Sequence, residues 1–140
     1  MRNKNKQAGF SLIELLVVST IIIVLTTIGL MSFSAASKNS RDAKRKADME
    51  TVRQGLVLYR ADKGMYPSGT VYGTMAQVLV GGDYMTDPYP TDPKNVSPNI
   101  YSYSSDGSDF CVCANMENSS NASSPTECPQ GTTTYCVENP

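Results

Sequence analysis

Residues 9–33 read GFSLIELLVVSTIIIVLTTIGLMSF, an apolar run whose one charge is Glu14, and this run decides how the rest of the chain is organised. From Phe10 to Phe33 it is roughly 24 residues, enough as a helix at about 1.5 Å per residue to cross the ~30 Å hydrocarbon core of a bilayer. Its Ser and Thr residues are tolerable there, because a hydroxyl can donate to a carbonyl one turn earlier. Ahead of it stands MRNKNKQAG, with Arg2, Lys4 and Lys6 and no acid. The positive-inside rule therefore keeps the N-terminus in the cytoplasm and puts everything beyond about Phe33 outside. A secretory signal peptide has its small-residue cleavage site after the apolar run, whereas here the small residue, Gly9, precedes it. The apolar segment is expected to survive processing.

Glu14 needs its own account, since a carboxylate inside hydrocarbon is costly unless it finds a partner. If the chain is cut after Gly9, the new α-amino group of Phe10 lies one helical turn away, and a neighbouring chain's amino group can come as close. The plainer reading is an acid snorkelling to the cytoplasmic interface. The stretch GFSLIELLVV resembles the prepilin signature of type IV pilins and type II secretion pseudopilins: a basic leader, Gly, Phe, Glu four residues on, then an apolar helix. The resemblance covers residues 2 to about 33. It implies cleavage between Gly9 and Phe10 by a prepilin peptidase, N-methylation of Phe10, and an assembly role for Glu14, whose counterpart in that family pairs with the amino terminus of an adjacent subunit. It also implies a homopolymeric filament built by a cytoplasmic ATPase and a platform protein. Many relatives carry a helix-kinking proline near the place where Met31 stands. This chain has none before Pro67, so its helix should kink less readily, with Gly29 as the only weak point.

After Phe33 the sequence turns polar but stays rich in helix formers, SAASKNSRDAKRKADMETVRQGLVLYRADKG, and predicts a continuation of the helix to about Lys63, ended by Gly64 and Pro67. Met49, Val52, Leu56 and Tyr59 recur at three- and four-residue spacing and form one face to pack on a sheet. Opposite charges four apart, Asp42 with Lys46, Lys44 with Asp48 and Lys46 with Glu50, are expected to pair on the solvated face. The interleaved acids argue against RDAKRK as a phosphate-binding patch. Counted from Phe10, such a helix is on the order of 80 Å, and its apolar half-stripe needs burial by a head or by neighbouring subunits.

Catalysis finds little to work with. The chain has no histidine and a net charge of −1, which removes the commonest general base and metal ligand and any global pull toward nucleic acid. No phosphate loop, nucleophile elbow or Cys-x-x-Cys pair is present either. An enzyme and a small-molecule substrate are not expected.

Residues 64–98 are rich in Gly, Pro, Asp and Tyr and read as a structured loop, with one short helix at Thr74–Val80, capped by Thr74 and stopped by Gly81. IYSYSS, the turn DGSD and FCVCANM read as a β-hairpin, with a third strand at TTTYCVEN. In the second strand Phe110, Val112, Ala114 and Met116 share the face toward the helix, while Cys111 and Cys113 share the other. In an oxidising compartment these cysteines, with Cys128 and Cys136, point to two disulfides, each of Cys111 and Cys113 reaching Cys128 or Cys136 in a pairing left open. NSSNASSPT reads as a solvent-facing loop whose Asn118 and Asn121 match the glycan-acceptor triplet, a weak signal. Asp106 and Asp109 flank Gly107 as a weak Ca²⁺ candidate that turn chemistry alone explains. The pseudopilins this chain resembles carry calcium in their C-terminal loop region. No other cofactor is expected.

The expected fold is α+β: a long N-terminal α-helix, half transmembrane and half amphipathic, packed on a small antiparallel β-sheet head. The expected organisation is a leader at 1–9, a membrane span at 10–33, the amphipathic helix at 34–63 and the head at 64–140. YRADKGMYPSG, followed by a loop and a small sheet, resembles the layout of major pseudopilins and short type IV pilins, whose fold and role it implies: a structural filament subunit, anchored before assembly with its head outside the cytoplasmic membrane. The alternative is a single-pass membrane protein with a binding head that never polymerises, in which Glu14 merely sits near the interface.

Overall fold

A computed structural model describes residues 9–128, 131 and 133–140, without the side chain of Met31. The basic leader through Ala8, with Arg2, Lys4 and Lys6, lies outside the described residues. The chain divides into two compact units, residues up to Ser37 and Lys38–Pro140, and helix α1 (Leu12–Lys63) contributes to both.

In the first unit the helix is apolar all round. Leu12, Ile21, Leu25, Leu30 and Phe33 are all exposed, and the span is long and apolar enough to cross a membrane. A helix that leaves every side apolar is built for lipid or for other helices, not for water. Its hydroxyls are satisfied internally as the sequence predicts: Ser19 donates to Leu16 O and Thr20 to Val17 O at 2.8 Å, and Thr27 donates to Ile23 O at 2.7 Å.

In the second unit α1 ends where Gly64 takes φ 79° and donates its N–H to Arg60 O at 2.8 Å. That is the left-handed cap glycine provides cheaply, and Arg60 and Lys63 in the last turn suit the negative end of the helix dipole. Met49, Val52 and Leu56 are fully buried, with Tyr59 packed at their edge. Each such side chain contributes about 1.5–3 kcal/mol by leaving water. They meet helix α2 (Tyr72–Gly81) through Met75, Ala76 and Leu79, and the inner face of a three-stranded sheet through Phe110, Val112, Ala114 and Val137. The sheet runs β1 (Ser102–Ser105), β2 (Phe110–Asn115), β3 (Thr134–Glu138), antiparallel throughout, with Tyr103 opposite Val112 and Val112 opposite Val137. This is the α+β arrangement the sequence predicts.

Four tyrosines hold the segments around α2 and β1 in place. Tyr66, Tyr72, Tyr101 and Tyr103 are buried, and Tyr66 meets Phe110 edge-on at 4.7 Å. Their hydroxyls all have partners: Tyr72 donates to Pro90 O, Tyr101 to Asp48, Tyr103 to Pro67 O, and Arg60 donates to Tyr66. A tyrosine can anchor a loop in this way because its body is apolar and its tip is not.

Three local expectations are corrected. Helix α2 starts at Tyr72, not Thr74, and no side chain caps it; the preceding Val71 is extended, and burial of the Tyr72 ring against Tyr89 and Tyr101 fixes the start instead. Helix α1 begins at Leu12, so Phe10 stands ahead of the first turn. None of the i,i+4 pairs forms: Asp42 turns inward to Arg45, Asp48 accepts from the Tyr101 hydroxyl, Glu50 is held by Arg53, and Lys46 lies over the Tyr135 ring.

Candidate functional site

At the N-terminal end Gly9 stands in open space, and a side chain added there would meet nothing within 4 Å. Phe10 is 83 % exposed. Ser11 then organises the helix start: Glu14 N–H donates to Ser11 Oγ at 3.2 Å, and Ser11 O accepts from the N–H groups of Glu14 and Leu15. Glu14 is therefore the third helical residue, in the first turn, where a carboxylate suits the positive end of the helix dipole. The Ser-x-x-Glu spacing at Ser11–Glu14 is a capping-box pattern, a sequence signal for a start at Leu12 that the length of the apolar run alone does not supply. Among the described residues Glu14 has no ion-pair partner.

At the other end the sheet presents its cysteines outward. Cys111 is bonded to Cys128 and Cys113 to Cys136. Cys113 and Cys136 are direct cross-strand partners in the β2–β3 register, whereas Cys111 lies opposite Glu138 and must reach past the strand to the loop. That register chooses the pairing that residue spacing left open. The two links cover the outer face of the sheet and pin the loop between β2 and β3 to it.

The hydroxyl- and Asn-rich turn after β2 is not loose. Asn118 Oδ1 accepts from Ser120 N–H and Ser120 Oγ, and Asn121 Nδ2 donates to Asp42 Oδ2 at 2.9 Å. Both amides are thus used inside the head.

The strongest electrostatic feature escaped the sequence reading. Arg45 is fully buried and donates to Asp92 from Nε at 2.6 Å and from Nη2 at 3.1 Å, and from Nη1 to Asp42 at 2.8 Å and to Glu117 at 3.1 Å. Glu117 is also held by Arg41 and Lys94. Hydrogen bonds from Arg41 foremost, helped by Lys94 and Arg45 against the cost of burial, hold the Glu117 carboxyl well below the usual range. Burial pushes the Asp92 and Asp42 carboxyls up, but their donors outweigh it and both end low. Those donors are Arg45 and the Lys94 N–H for Asp92, and Asn121, two backbone N–H groups and Arg45 for Asp42. A signal for this cluster was present: residues 42, 45, 49, 52 and 56 follow one three-and-four spacing, so Asp42 and Arg45 lie on the same stripe as Met49, Val52 and Leu56.

The turn at Asp106–Asp109 is explained by its own backbone. Asp106 Oδ1 accepts from Ser108 and Asp109 N–H groups, Ser105 Oγ donates to Asp109 O, and Gly107 takes φ 103°. Asp106 and Asp109 line a shallow hollow of ≈ 210 Å³ with Glu127 and Glu138. Among the described residues, however, no three acidic or thiol side chains converge closely enough to hold a metal ion.

Comparison with known proteins adds one finding. Residues 4–30 match the prokaryotic N-terminal methylation motif. Neither a curated protein nor a solved structure matches the chain. The matched stretch holds Gly9, Phe10 and Glu14 and runs into the part of α1 that is long and apolar enough to cross a membrane.

Proposed function

We propose that the chain is the precursor of a structural subunit of a type IV pilus or pseudopilus. The observation that carries this is the coincidence of the methylation motif with one acid, Glu14, in the first turn of an otherwise apolar helix, directly after an open Gly9 and an exposed Phe10. A peptidase cuts between Gly9 and Phe10, and the new amine of Phe10 is methylated. Glu14 takes up the amine of an adjacent subunit and so sets the axial register of the polymer. A buried ion in lipid has strong reason to find such a partner, and a misplaced subunit leaves it unpaired. The head, closed by two disulfides, forms the outer surface after crossing to the extracytoplasmic side. The chain performs no bond chemistry itself, and its assembly draws on a prepilin peptidase, an ATPase and a platform protein.

The test is the intact mass of the protein from sheared extracellular filaments and from membranes, before and after reduction and alkylation. A mass beginning at Phe10 plus one methyl, in the sheared fraction and without free thiols, is the expected result. Processed protein found only in membranes assigns it to a secretion pseudopilus, and a form beginning at Met1 in both fractions rejects the reading.

A further inference from the structure

The two disulfides of the head are unequally placed. Cys113, Cys128 and Cys136 are buried, whereas Cys111 is partly exposed and lines the hollow of ≈ 210 Å³ at the end of the β1–β2 turn. The Ser124 hydroxyl lies 3.3 Å from Cys136 Sγ and adds cover to the Cys113–Cys136 link. The hollow is therefore the way in to Cys111–Cys128.

Four carboxylates surround that way in. Glu138 is the cross-strand partner of Cys111, Glu127 precedes Cys128 in the chain, and Asp106 and Asp109 come from the turn. Among the described residues no basic side chain lines the hollow. A concave surface lined by one sign of charge focuses its field on whatever ion approaches. Disulfides are opened by thiolates, which are anions, so this field acts directly on the rate at which the link can be reached.

We infer that Cys111–Cys128 is a selectively reducible link, opened at Cys111 by small thiols that carry a compensating positive charge, while Cys113–Cys136 stays closed. The incoming thiolate bonds to Cys111 Sγ as the bond to Cys128 breaks, and Cys128 leaves as a thiolate that takes a proton from water. A second thiol displaces the first from Cys111, so two small thiols end as one disulfide and the protein gains two thiol groups. Opening the link unties Cys128 from β2 but leaves β2 joined to β3 through Cys113–Cys136. The inference concerns the head alone and does not depend on whether the chain polymerises.

The test exposes the full chain, in detergent at low salt with a chelator present, to three thiols of similar size. The attacking form of cysteamine is zwitterionic, that of β-mercaptoethanol singly negative and that of mercaptoethanesulfonate doubly negative. Each rate is divided by that of the same thiol on neutral hydroxyethyl disulfide, which cancels intrinsic reactivity, and alkylation with peptide mapping locates the opened link. Cysteamine should open Cys111–Cys128 about tenfold or more faster than mercaptoethanesulfonate, with mercaptoethanol between them and Cys113–Cys136 intact. The spread should shrink to about threefold in about 0.5 M salt. It should shrink likewise in Glu127→Gln with Glu138→Gln, two acids that make no ion pair among the described residues. Equal normalised rates, a spread that the double variant leaves unchanged, Cys113–Cys136 opening first, or no opening by any thiol in the folded head each overturns the inference.

Discussion

Replacing Arg45 by Met keeps an unbranched stem in the core and deletes the charge around which the head closes. Three carboxylates lose a donor, but unequally. Asp42 retains the N–H groups of Glu117 and Asn118 and the Asn121 amide, and Glu117 retains Arg41 and Lys94. Asp92, 4 % exposed, keeps only the Lys94 and Asn95 N–H groups, the second at 3.4 Å. Removing one partner of a buried ion pair costs about 3–5 kcal/mol, and the donors that remain place this case near the lower end, at about 3 kcal/mol. In a domain of this size each kcal/mol moves the midpoint by about 4–8 °C, so Arg45→Met should melt about 12–24 °C below the parent. The assay is thermal unfolding of the full chain in detergent, followed by near-ultraviolet circular dichroism with the disulfides intact. Arg53→Met supplies the internal standard: its pair with Glu50 is partly solvated, and an exposed pair of that kind contributes at most about 1 kcal/mol. If Arg45→Met melts no lower than Arg53→Met, the network does not hold the head together and the reasoning is wrong.

Acid should act on the same groups. The folded Asp42, Asp92 and Glu117 carboxyls lie below their ordinary values of 3.8 and 4.5, so the unfolded chain binds protons first. Their stabilisation is complete above about pH 5 and drains away as pH falls through the ordinary carboxylate range toward the folded values, whereas between about pH 6 and 8 the melting point should be flat, there being no histidine; a fall that begins above pH 6 contradicts this. Removing the disulfides pairwise, as Cys111→Ser with Cys128→Ser or Cys113→Ser with Cys136→Ser, opens links between residues 17 and 23 apart and should cost about 3 kcal/mol each. A peptide map of the unreduced protein must show those two links, and a crossed map would refute the sheet register. Glu14→Ala should abolish filaments while membrane levels and head melting stay as in the parent, and filaments of normal yield would remove the assembly role from that residue.

The large features were legible because each rests on a long pattern. A proline-free stretch from Phe10 to Lys63, apolar in its first half and striped in its second, has no alternative to helix. The alternation in FCVCANM assigns Phe110, Val112, Ala114 and Met116 to the core and turns the cysteines outward before any partner is known. What stayed hidden depends on tertiary neighbours. The pairing of Cys113 with Cys136 follows from the β2–β3 register, which no short pattern encodes. The start of α2 follows from the ring of Tyr72 finding Tyr89 and Tyr101, residues 17 and 29 positions away. The approach of Tyr84 to Gly55 likewise appears only once the loop is folded back.

The charges on α1 show the limit of local rules most clearly. Asp42, Lys44, Lys46, Asp48 and Glu50 have the spacing that pairs side chains on an isolated helix, where each pair contributes about 0.2–0.5 kcal/mol. A hydrogen bond to a charged group in a partly dry setting contributes about 1.5–3 kcal/mol and wins wherever the head supplies one. Asp42 therefore leaves Lys46 for Arg45 and the turn after β2, and Asp48 leaves Lys44 for the Tyr101 hydroxyl. The bases they abandon part ways: Lys46 settles over the Tyr135 ring, and Lys44 remains in solvent. Folding the head thus consumes the helix's acids and releases a lysine on its outer stripe.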